Sequence, residues 1–106
     1  MKQETIKRLQ NFYMSMCNGD WEHTYGIKID NIDNPGWAIK VDLYDSYLQE
    51  MPFKKIKNQR EIECDWYFCE VKDHKFSGCC GPENLDEVIT IFLDWAEKMW
   101  EEYQKQ

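Results

Sequence analysis

The chain has 106 residues, 42% hydrophobic and 15% aromatic, with 13 Lys and Arg against 20 Asp and Glu for a net charge of −7. That length supports one hydrophobic core, so residues 1–106 are expected to form a single domain, and the apolar content excludes a disordered tail. The sign of the charge argues against a nucleic-acid partner, and with a mean hydropathy of −0.78 and no apolar run near the roughly 18 residues of a membrane span, no membrane partner is expected.

The start, Met1 to Thr5, runs directly into an amphipathic pattern rather than a signal-peptide core, so a cytoplasmic location is expected. From about Glu4 to Cys17 the residues Ile6, Leu9, Tyr13 and Met16 recur at helical spacing, with Phe12 widening the stripe. Asn18-Gly19-Asp20 then stops the helix. In Thr24 to Asp30, Tyr25, Ile27 and Ile29 alternate with small or charged residues, the pattern of a half-buried strand. Trp37, Ile39, Val41 and Leu43 repeat it after the turn signal Asp33-Asn34-Pro35-Gly36. Both apolar sets are odd-numbered, so they share a face only if paired residues sum to an even number, which requires a loop of three or five residues. The residue before a proline avoids the helical region, which weighs mildly against three.

Leu48 to Asn58 is the least regular region and carries Pro52, with Lys54, Lys55, Lys57 and Arg60 forming a short basic stretch. Glu61 to Val71 predicts a third strand with Ile62, Cys64, Trp66 and Phe68 on one face, and Tyr67, Cys69 and Val71 making the other partly apolar. Asp73-His74 turns the chain into a short strand from Lys75 to Cys79. After Gly81-Pro82, a long helix is marked by Leu85, Val88, Ile89, Phe92, Ala96, Met99 and Tyr103, joined by Trp95 and Trp100. The fold class is α+β, in the order α-β-β-β-β-α: an antiparallel sheet of about four strands flanked by an N-terminal and a long C-terminal helix. A meander with the helices on one face is the simplest arrangement.

Five cysteines, Cys17, Cys64, Cys69, Cys79 and Cys80, are an odd number without an export signal, so reduced thiols are expected. Their spacings, with His23 and His74, do not make a zinc site, and no metal or other cofactor is expected. Glu22-His23 resembles an acid–base pair, but no nucleophile at a recognisable spacing completes a catalytic set. Cys79 and Cys80 precede a predicted helix start, where a thiolate is favoured. A small thiol enzyme of the sulfurtransferase type is therefore one reading, although Glu83, Asp86 and Glu87 crowd that helix start and oppose a thiolate. Trp21 and Trp37 border polar loops, where tryptophan anchors an interface or edges a small-ligand site.

Two motifs, Asp20-Trp21-Glu22-His23-Thr24-Tyr25-Gly26 and Asp33-Asn34-Pro35-Gly36-Trp37, occur together with Asp65-Trp66, Phe76-Ser77-Gly78, Gly81-Pro82, Asn84-Leu85 and the Phe92/Trp95 helix. In these the chain resembles the immunity protein 53 family of bacterial polymorphic toxin systems. Cys79-Cys80 depart from the small residues of that pattern. The resemblance implies an α+β protein that is not an enzyme and that neutralises a cognate toxin domain by binding it. The acidity of the chain suits a basic toxin domain. The expected contact residues, along the outward face of the first hairpin and at its two ends, are Trp21, Glu22, His23, Asp30, Asp33, Asn34, Trp37 and Asp42.

Overall fold

The computed structural model describes residues 3–33, 35–59 and 64–105. Helix α1 (Gln3–Met16) forms where the apolar periodicity predicts it and ends three residues before Gly19, whose φ of +95° a side chain would resist. Its buried side is Thr5 and Phe12, with Leu9 and Met16 packed against the core, whereas Ile6 and Tyr13 are exposed. The stripe is thus rotated from the predicted one. Helix α1 seats on the C-terminal helix, and Thr5 Oγ1 donates to Asp86 Oδ1 there at 2.9 Å.

One helical turn, α2 (Trp21–Thr24), replaces the beginning of the predicted first strand. Strand β1 (Ile27–Ile32) pairs antiparallel with β2 (Gly36–Asp42), Ile29 opposite Ile39 and Ile32 opposite Gly36. The connection is therefore residues 33–35, the three-residue loop, and the even-sum rule holds. Ile27, Ile29, Ile39 and Val41 share a face, and Trp37 lies on it too. Tyr25 and Leu43 fall just outside the strands, with Leu43 fully buried.

The rest of the sheet consists of β3 (Ile56–Gln59), β4 (Trp66–Lys72) and β5 (Lys75–Cys80). All pairs are antiparallel in the order β1-β2-β5-β4-β3, so the described residues form five strands rather than four and the order is not a meander. The additional strand, β3, is short and polar and lies at an edge, where alternation gives little signal. The predicted positions Glu61, Ile62 and Glu63 lie outside the described residues. In β4 the face turned to the core carries Tyr67, Cys69 and Val71, because β5 places Cys80, Gly78 and Phe76 opposite them; Trp66 and Phe68 face the other way. Asp73 and His74 both have positive φ, 54° and 60°, which is the two-residue turn whose twist matches a hairpin.

Helix α3 (Leu85–Gln104) covers the centre of the sheet with Val88, Ile89, Phe92, Leu93, Ala96 and Met99. It can approach because β5 carries Gly78: a Cβ there would lie 2.6 Å from Val88 Cγ1 and 3.1 Å from Ile39 Cγ2. Phe92 is the hub of the core, edge-on to Phe12 at 5.0 Å between ring centroids and 4.9 Å from Phe76. Fully burying such a side chain contributes roughly 1.5–3 kcal/mol, so the helix layer is held mainly by this aromatic core. Both long helices lie on one side of the sheet, and among the described residues no helix covers the opposite side, called the open side below.

Candidate protein-binding surface

The first hairpin sets the geometry of the residues singled out in the sequence. Trp21 is 2% exposed, packed beside Tyr13 and Tyr25 with ring centroids 6.3 Å from each, and its indole N–H donates to Tyr44 O at 3.1 Å. It anchors the corner between α1 and the sheet and does not present a ring to a partner. The Glu22 carboxylate accepts the backbone N–H groups of Asn18 and Gly19, each at 2.9 Å. Hydrogen bonding from its own amide first, and from those two next, holds it below the usual carboxylate range. Glu22 is therefore occupied in closing the α1–α2 corner, while His23 next to it is exposed. Cys17, at the same corner, has its thiol directed to Tyr13 O at 3.2 Å rather than to either of them.

Asp30 and Asp42 do point to the open side, as expected. Asp30 is exposed opposite Ala38, and Asp42 lies opposite Lys75 with its Oδ2 accepting Gly26 N–H at 3.0 Å. Asp33 is exposed in the loop at the far end of the hairpin, and Asn34 lies outside the described residues. Trp37 is half-buried on the helix side, its indole N–H donating to Pro82 O at 3.0 Å, beside a 400 Å³ recess with Glu83, Leu85 and Asp86. Trp21 and Trp37 thus sit at opposite ends of the hairpin, and neither can share a ligand with the other. Two larger clefts lie elsewhere. One of about 540 Å³ between α1 and α3 includes Arg8, Tyr47, Glu97 and Trp100. The other, about 680 Å³, lies between α1 and the start of β1.

The thiols are split between the two sides of the sheet. Cys69 and Cys80 are buried under the helices, whereas Cys79 is half-buried on the open side between Ala38 and Phe68. Burial pushes Cys69 up to about 12 and Cys80 up to about 11, and burial first and Glu70 second raise Cys79. A nucleophilic thiol needs the opposite shift. Among the described residues, no group of three or more His, Cys, Asp or Glu is placed to hold a metal ion.

Sequence reasoning missed the composition of the open side as a whole. Strand register aligns Asp30, Ala38, Cys79, Phe68 and Lys57 in one row across all five strands. Trp66 and Ile32 lie one row beyond, and Lys28, Lys40, Ser77 and Glu70 one row the other way. Ile32, Ala38, Trp66, Phe68 and Cys79 are half-buried, so an apolar band crosses a surface no helix covers. The charged positions of this side among the described strand residues are Lys28, Lys40, Lys57, Lys72 and Lys75 against Asp30, Asp42 and Glu70. The excess acid of the chain is therefore elsewhere, much of it along α3 in Asp86, Glu87, Asp94, Glu97, Glu101 and Glu102. In the first hairpin the even-numbered Lys28 and Lys40 could have revealed this in the sequence, once the odd-numbered apolar set had fixed the buried side; Lys57 and Lys75 reach the open side at odd positions, because the buried parity of β3 and β5 is even.

No helix among the described residues is long and apolar enough to cross a membrane. Comparison with curated proteins returned no match, and neither did comparison with solved structures. The family model described as Immunity protein 53 matches residues 6–97, which span most of α1, the whole sheet and most of α3. By that match over most of its length, the chain belongs to the immunity protein 53 family.

Proposed function

We propose that this protein binds a cognate toxin domain of a bacterial polymorphic toxin system in the cytoplasm and neutralises it by forming a stoichiometric complex. Family membership over residues 6–97 is the observation that carries this reading. The placement of the reactive groups supports binding over chemistry. Glu22 is engaged by backbone amides, and burial disfavours the thiolates of Cys69 and Cys80. The thiol-enzyme alternative loses its premise, since Cys79 is also raised rather than lowered.

The test is co-expression with the toxin domain encoded by the neighbouring reading frame. Cells carrying both survive, and the two chains copurify in equal amounts. A Cys79→Ala/Cys80→Ala variant that remains folded protects as the natural chain does. Loss of protection in that folded variant would show that a thiol, rather than binding alone, is responsible.

A further inference from the structure

The open side of the sheet breaks a local rule of sheet stability in two places. Lys28 lies directly opposite Lys40, and Lys72 directly opposite Lys75. Like charges facing each other across antiparallel strands destabilise the pair. All four lysines are exposed, and among the described residues none has a carboxylate within ion-pair distance. The carboxylates on this side are already committed in part: Glu70 takes Lys55 at 3.7 Å, and Asp42, which lies opposite Lys75 on β2, accepts from Gly26 and makes no ion pair with that lysine. Sites where a sequence departs from its own stability rules are where function is sought. The half-buried band of Ala38, Cys79 and Phe68 runs from Asp30 at one end to Lys57 at the other, with both lysine pairs along one flank and Trp66 on the opposite flank. An aromatic and aliphatic centre with a charged rim is the anatomy of a protein interface. Five strands spaced about 4.8 Å apart make a face roughly 20–25 Å across, on the scale of a standard interface of about 800 Å² per partner.

We propose that the open side of the sheet seats the toxin domain, and that the toxin surface it meets is apolar at its centre and acidic at its rim. This rests on the reading of the chain as an immunity protein. It replaces the basic partner that net charge alone suggests, because the patch in contact, rather than the sum over the molecule, sets complementarity. Carboxylates of the toxin relieve the repulsion between the opposed lysines, so the free protein holds strain that complex formation releases.

The experiment is a calorimetric titration of the purified toxin domain from the neighbouring reading frame, at low and high salt. A Lys40→Glu/Lys72→Glu variant turns both like-charge pairs into opposite-charge pairs. Its melting temperature rises, while its affinity for the toxin falls by at least about tenfold and its salt dependence weakens or reverses. Phe68→Ala weakens binding at both salt concentrations. Glu97→Lys/Glu101→Lys, on the helix side, leaves affinity within about twofold. If Lys40→Glu/Lys72→Glu binds as the natural chain does and the helix-side variant loses affinity, the open side is the wrong surface while the immunity reading stands. If the natural chain does not bind the toxin domain, both fall. Binding of a single-stranded oligonucleotide through these lysines, with toxin affinity unchanged by their replacement, would overturn the acidic-protein assignment.

Discussion

Cys69 and Cys80 lie beneath the helix layer, and desolvation favours their neutral forms. Below the ordinary thiol value of about 8.5 both the folded and unfolded chains keep these protons, so stability is unaffected there. Above it the unfolded chain ionises first, and stability falls as pH rises toward 11–12, the folded values of Cys80 and Cys69. A melting temperature followed from pH 7 to pH 10.5 declines from about pH 8.5, and alkylation of the exposed Cys64 precedes that of Cys69 and Cys80. A flat profile with equal alkylation would contradict this burial. Gly78 provides a second test. Gly78→Ala places a methyl group against Val88 and Ile39, and urea denaturation is expected to show a loss of about 1–3 kcal/mol. The roles of single residues were the least legible part of the sequence. Trp21 borders a polar loop, which suggests an exposed anchor, yet the partner that satisfies its indole is Tyr44, 23 positions away and brought near only by the hairpin.

Helix α1 is joined to α3 both by charge and by packing, and magnitudes decide between them. Arg8 makes ion pairs of 2.9 Å with Asp94 and with Glu97, but both carboxylates are more than 60% exposed. Solvent screening limits such pairs to about 0–1 kcal/mol, so Arg8→Ala costs little. Phe12 is 8% exposed and edge-on to Phe92, and Phe12→Ala is expected to cost about 3–5 kcal/mol. Denaturant midpoints of the two variants measure the difference; a larger effect at Arg8 would refute docking by packing. At this scale much was legible. The period of two fixed the parity of the first hairpin, and helical periodicity located α1 and α3. Strand order was not, because the insertion of β5 between β2 and β4 is decided by which strands α3 can cover, with Gly78 at the closest approach. The apolar face of β4 was ambiguous for a physical reason: Trp66 and Phe68 on one side rival Tyr67, Cys69 and Val71 on the other.

Across the whole molecule the charge is divided, with lysines in excess on the open side of the sheet and carboxylates prominent along α3. A net charge of −7 conceals that division. Of the expected contact residues, Asp30 and Asp42 point to the open side, whereas Trp21 and Trp37 have their indole donors satisfied within the protein. The surface motifs that carry the family resemblance therefore include corner-forming residues, and the binding face proposed above lies on the strands between them. The central claim is inhibition by complex formation, and an inhibition titration tests it most directly. A fixed amount of the toxin domain encoded beside this chain is titrated with the purified protein, and residual toxin activity is measured at each addition. The account predicts a linear loss that ends at one molecule of this protein per toxin molecule, with activity recovered when the two are separated. Complete inhibition at a small fraction of that ratio, or toxin that stays inactive after separation, would show turnover and contradict it.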